Sequence, residues 1–125
     1  MKITALDHIQ IAMPRGEETK ARHFYNELLG LPELEKPEPL ASRGGCWFGD
    51  ENLQIHLGVE ENFSPARKAH PALAVEDLDS LAERLAEAGF EVRWDEAIAH
   101  VKRFYSYDPF GNRIEFLRDG DRFLE

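Results

Sequence analysis

The chain has 125 residues, 42% of them hydrophobic, and 24 acidic against 15 basic side chains give it a net charge of -9. Its length and apolar content suit one folded unit. The acidic balance, with no basic cluster to offset it, argues against nucleic acid and anionic membrane surfaces and leaves a small molecule as the expected partner. No run approaches the roughly 20 continuous apolar residues of a membrane span, and the first residues lack the order of a secretory leader. The single cysteine, Cys46, has no partner for an internal disulfide. A cytoplasmic protein is expected.

Residues 6 to 13 alternate, with Ile9, Ile11 and Met13 on one face and His8, Gln10 and Ala12 on the other, which predicts a strand ended by Pro14 and Gly16. Ala21, Phe24, Tyr25, Leu28 and Leu29 then form one helical stripe closed by Gly30. Pro32, Pro37 and Pro39 make the next stretch a loop with at most a short edge strand. Strands are expected at about residues 43 to 48 and 53 to 59, joined by the turn Gly49-Asp50-Glu51-Asn52.

The second half repeats this order. A strand is expected over residues 70 to 75, with Asp77 as N-cap and Leu78, Leu81, Leu85 and Ala88 as a helical stripe before Gly89. Short strands follow near residues 91 to 94 and 103 to 107, and a last one spans residues 113 to 117 after the turn Asp108-Pro109-Phe110-Gly111-Asn112. Each half reads as strand, helix, strand, strand, strand. Module one covers about residues 4–59, a linker 60–69, and module two about 70–118. The expected class is α+β, two βαβββ modules forming a curled mixed sheet around a cavity with the helices outside.

The helix-ending glycines make the repeat quantitative. His56 lies 26 positions after Gly30 and Glu115 lies 26 after Gly89, so the two are equivalent. His8 and His70 precede those glycines by 22 and 19 positions, a three-residue difference in the approach to the helix, and are equivalent as well. Alternation sends Ile55, Leu57, Ile114 and Phe116 beneath the helices and gathers His8, Gln10, Gln54, His56, His70, Arg113 and Glu115 on the other face, among small residues such as Ala12, Gly58, Ala72 and Ala74.

Three imidazoles and a carboxylate supply nitrogen and oxygen ligands for a divalent first-row metal, with Fe, Mn, Ni, Co or Zn as candidates. His8, His56, His70 and Glu115 are therefore the expected metal set. His56 has a second reading, as an acid or base beside the metal. His23 reads as a surface or boundary residue. His100 is either an ordinary loop histidine or a residue that folds over the site. No local feature marks Cys46 as a nucleophile, while Trp47, Phe48, Tyr105 and Tyr107 read as core or pocket wall.

With the openings LDHIQIAM and AHPALAVEDLDSL and the ending DPFGNRIEFL, the chain from about residue 4 to 118 resembles the vicinal oxygen chelate superfamily, which includes glyoxalase I, extradiol dioxygenases, fosfomycin-resistance transferases, methylmalonyl-CoA epimerases and bleomycin-binding proteins. The resemblance implies a homodimer in which His8 and His56 of one chain join His70 and Glu115 of the other. It also implies a divalent-metal-dependent, glyoxalase-like lyase or isomerase or an extradiol-type dioxygenase, acting on a small substrate with vicinal oxygens. Departures narrow the choice. Ala12 and Glu60 stand where glyoxalase I holds glutathione through arginine and asparagine, Gln10 stands where fosfomycin transferases carry threonine, and His56 replaces the glutamine or glutamate of the epimerases. The run His100, Phe104-Tyr105, Asp108-Pro109, Gly111 and Glu115 is similar to the extradiol signature. That similarity would make His8, His70 and Glu115 a facial metal triad, His56 an acid-base group and Tyr105 a substrate contact, while for either enzyme type Glu115 or His56 is the candidate base. The alternative class is a metal-free, bleomycin-resistance-like protein that sequesters a drug, with Trp47 and Tyr105 as walls.

Overall fold

The structure is a computed structural model that describes residues 1–121 and 123. The chain divides into two compact units, Met1–Ser64 and Pro65–Glu125, each built on one four-stranded mixed sheet. The architecture is α+β.

In the first unit β1 (Ile9–Met13) runs parallel to β4 (Gln54–Val59), which pairs antiparallel with β3 (Cys46–Gly49), and β2 (Glu33–Leu34) closes the edge; the order is β1-β4-β3-β2. The second unit repeats it as β5 (Ala72–Val75), β8 (Arg113–Arg118), β7 (Arg103–Tyr107) and β6 (Arg93–Asp95). The repeat extends to register. Gln10 faces His56 across the first parallel pair and Ala72 faces Glu115 across the second, and each lies two residues after a histidine, His8 or His70.

Both histidines fall just outside the strands expected to contain them. β1 begins at Ile9, where pairing with Ile55 begins, and the residues before it are exposed. β5 begins only after Pro71, which has no N–H to give the ladder but accepts the Glu115 N–H at 3.0 Å. β6 likewise starts two residues later than expected.

The first helix departs further. A single α turn, α1 (Glu18–Ala21), widens into a π-helical segment over Arg22–Leu28, marked by the bond from the Leu29 N–H to the Phe24 carbonyl at 2.9 Å. The wider turn keeps Ala21, Phe24 and Tyr25 fully buried but leaves Leu28 and Leu29 at the margin of the stripe. Tyr25 lies over Phe48 of β3 with ring centroids 5.6 Å apart. Ile55, Leu57 and Met13 complete this core. Burial of a side chain such as Phe48 contributes about 2 to 3 kcal/mol.

In the second unit Asp77 caps α2 (Leu78–Glu87) by accepting the Ser80 N–H at 3.1 Å, and Leu78, Ala82 and Leu85 are the buried stripe. Beneath it Phe104 and Phe116 pack with tilted rings, their centroids 5.2 Å apart. Asp108 organises the turn into β8. One of its carboxylate oxygens accepts the N–H groups of Phe110 and Asn112, each at 2.9 Å, and so sets the register that aims Arg113 and Glu115.

Candidate functional site

Each unit brings its two expected donors together. In the first, His56 is 4% exposed although it stands on the polar face of β4. Its imidazole stacks on Trp47 at 3.8 Å and 3° and on His8 at 4.2 Å and 16°. Trp47 is its cross-strand partner on β3, so the stack follows from register. His56 Nε2–H donates to Gln54 Oε1 at 2.9 Å, which leaves the Nδ1 lone pair available. His8 Nδ1 pairs with Asp7 at 2.8 Å.

Imidazole lone pairs lie in the ring plane, so two stacked rings do not aim at one ion. One must turn, and His8, whose side chain is 42% exposed, is the one with room. The face of Trp47 also borders a cavity of about 250 Å³ that it lines with Gln10, Lys36, Leu40 and Arg43.

Burial, and then the charge that His8 carries when protonated, hold the His56 imidazole below the ordinary histidine range. At high pH the ring is neutral in folded and unfolded chain alike. As the pH falls through about 6.5 the unfolded chain takes up a proton that the folded chain still refuses, so stability drops. The unfolding free energy of chelator-treated protein should therefore decline between about pH 7 and pH 5.5, and a His56→Gln variant should lose that part of the slope. Urea titrations across the range measure it, and an unchanged slope would mean that His56 is not the titrating group.

In the second unit His70 Nδ1–H donates to the Lys68 carbonyl at 2.7 Å, which fixes the tautomer. The Nε2 lone pair then faces Glu115 Oε1 at 2.9 Å. Two acceptors at that distance call for a proton or a cation between them. Glu115 is 4% exposed, and its other oxygen accepts from Arg103 Nη1 at 3.1 Å. Arg103 also donates to the Tyr105 hydroxyl at 3.2 Å and, through Nη2, to Asp95 at 3.0 Å. Burial opposes the Arg103 charge, but the hydrogen bonds it donates to Glu115 and Asp95 outweigh it and hold the guanidinium more firmly protonated than usual. The Tyr105 ring meets the edge of His70 at 5.4 Å and the guanidinium of Arg113 at 4.0 Å.

Arg103 and Asp95 did not stand out in the sequence. The available signal was alternation along β7, which puts Arg103, Tyr105 and Tyr107 on the face opposite Phe104. Of the remaining residues, His23 is exposed and pairs with Glu27 at 2.9 Å. His100 is exposed and lines a cavity of about 580 Å³ with Trp94, Lys102 and Arg103. Cys46 is 1% exposed and burial pushes its thiol up to about 11, which makes it a core residue and a poor nucleophile.

Among the described residues no three histidine, cysteine, aspartate or glutamate side chains stand close enough together to hold a metal ion. The donors come in twos. No helix among the described residues is long and apolar enough to cross a membrane.

Two copies of one βαβββ module, each setting a pair of imidazole or carboxylate donors at matching register, define a paired-module protein built around polar sheet faces. The chain belongs to the Glyoxalase/Bleomycin resistance protein/Dioxygenase superfamily, whose model matches residues 5–116. Among curated proteins it is similar to Glyoxylase I 4 of Arabidopsis thaliana, 27% identical over 126 residues, covering 92% of this chain and 71% of that protein. Among solved structures it is similar to a glyoxalase family protein from Bacillus anthracis, with 51% identity, a TM-score of 0.90 and coverage of 94% of this chain and 97% of that one. The fold is shared with the fosfomycin resistance protein FosX from Listeria monocytogenes, at 17% identity, a TM-score of 0.74 and 94% coverage of both chains.

Proposed function

We propose that the protein is a divalent-metal-dependent enzyme of the glyoxalase or dioxygenase type, acting on a small substrate with two vicinal oxygens. The observation that carries this reading is the His70–Glu115 pair. The carbonyl of Lys68 holds the Nδ1 proton, so the Nε2 lone pair and Glu115 Oε1 converge 2.9 Å apart, a donor pair suited to a cation. His70, Glu115, His8 and His56 are the proposed ligands, Fe, Mn, Ni, Co or Zn the candidate ions, and a homodimer in the cytoplasm the assembly in which the pairs of two chains meet. Residues 4–59 and 70–118 are read as the modules of one domain joined by 60–69.

When bound, the ion supplies Lewis-acid polarisation of the two substrate oxygens. The chain's own residues do the rest. Arg103 ties down one oxygen of Glu115 and leaves the other directed at the site. In the alternative in which its Nδ1 does not ligate the ion, His56, held neutral by burial, is a base of the right type to take a proton from the substrate carbon or hydroxyl, and Glu115 is the other candidate. Tyr105, between His70 and Arg113, offers an aromatic wall to the substrate.

Elemental analysis of tag-free protein tests the reading. About one ion per protomer is expected in the wild type, with loss in His70→Ala. Equal metal content in the two, or none in either under saturating metal, would favour a metal-free binding protein. Oxygen uptake with catechols, set against isomerisation of hemithioacetals, then separates the two reaction types.

A further inference from the structure

Arg113, on the site face of β8, has no acid as a hydrogen-bonding partner among the described residues. Among the described residues it has neither a hydrogen bond nor an ion pair, and its Nε is buried without a partner. The chain has 24 acidic side chains, so a counter-charge was available to it. Asp95 interacts with it electrostatically, but the hydrogen bonds of that carboxylate go to the Ala97 N–H at 2.9 Å and to Arg103 at 3.0 Å. What holds Arg113 is the face of Tyr105, 4.0 Å below, the ring that also meets His70. Stacking of this kind fixes a guanidinium and leaves its hydrogen-bonding edge open. The atom shut off from solvent is Nε; Nη1 and Nη2 are not among the buried unpartnered atoms, so they are the edge a ligand can reach.

We infer that Arg113, seated on Tyr105, is the anchor for a carboxylate group of the substrate. Arg113 and Glu115 alternate onto the same face of β8, roughly 7 Å apart along the strand, so the carboxylate would lie a few bonds from the reacting oxygens. A planar two-oxygen anion matches the guanidinium fork bidentately. One free fork, next to Arg103 already neutralised by Glu115 and Asp95, suits a single carboxylate better than a dianion. The inference rests on the enzyme reading for its meaning, but the anion site itself needs no metal.

Side-chain nitrogen NMR of the full-length protein tests it. The Arg113 Nε–H resonance, assigned by its absence in Arg113→Lys, would be followed during titration with acetate, uncharged acetamide and methylphosphonate, in chelator-treated and metal-loaded protein. The expected result is a saturable shift with acetate, with about tenfold or greater preference over acetamide, in both forms. No saturable response to acetate, an equal response to acetamide, or a tighter response to methylphosphonate would overturn it. Failure of the metal reading would appear separately, as absence of bound ion with the acetate response intact.

Discussion

Arg103→Ala should be among the most destabilising single changes in the second unit, costing about 3 to 5 kcal/mol, because it leaves Glu115 charged, buried and without its guanidinium. The guanidinium serves three acceptors at once, Glu115, Tyr105 and Asp95, on strands β8, β7 and β6. A lysine reaches one of them as a point charge and should recover only part of the loss. The double variant Arg103→Met/Glu115→Gln, which removes both charges and retains volume, should be more stable than Arg103→Ala alone, since an apolar replacement of a buried pair is often nearly neutral. Urea unfolding of the wild type, Arg103→Met, Glu115→Gln and the double variant gives the coupling directly. If the losses from Arg103→Met and Glu115→Gln simply add, the two residues do not act as a pair. Divalent metal should restore more stability to Arg103→Ala than it adds to the wild type, because the ion supplies the positive charge that Glu115 has lost.

The parts of this arrangement differ in how far they could be read from the chain. His56 and Glu115 were equivalent by their common distance from a helix-ending glycine, and the structure carries that equivalence to register, with Gln10 opposite one and Ala72 opposite the other. Such distances survive because the same order of strands imposes the same path on both halves. The exact strand starts were not legible. Whether His8 and His70 lie inside a ladder depends on where pairing begins, and the proline at 71 shifts that point in one half only. The π-helical segment was hidden for a related reason, since its apolar residues satisfy the 3.6-residue period, and only the backbone bond from Leu29 to Phe24 distinguishes the wider turn. Arg103 was hidden because its partners come from three strands, two of them distant in sequence.

Gly45→Ala should be the matching lesion in the first unit, costing about 3 kcal/mol or more. Gly45 has φ of +81°, and a Cβ placed on it would stand 2.1 Å from the Leu57 carbonyl oxygen of the neighbouring strand. That neighbour is backbone, held in the β3–β4 ladder, so it cannot swing aside as a side chain would. Gly49 meets the same obstacle at the other end of β3, where a Cβ would lie 1.9 Å from the Leu53 carbonyl oxygen. The two glycines let β4 close against both ends of a four-residue strand whose second residue, Trp47, is the ring on which His56 rests. Opening either end should therefore disturb the stack as well as the core. In Gly45→Ala, Trp47 fluorescence should respond less to protonation of the imidazole as the pH falls below the ordinary histidine range, while Gly30→Ala, at a positive φ of +76° but with nothing within 4 Å of its Cβ, should carry only the backbone cost and leave that response intact. A Gly45→Ala protein with wild-type stability and an unchanged fluorescence profile would show that the close approach of β4 is not what seats His56.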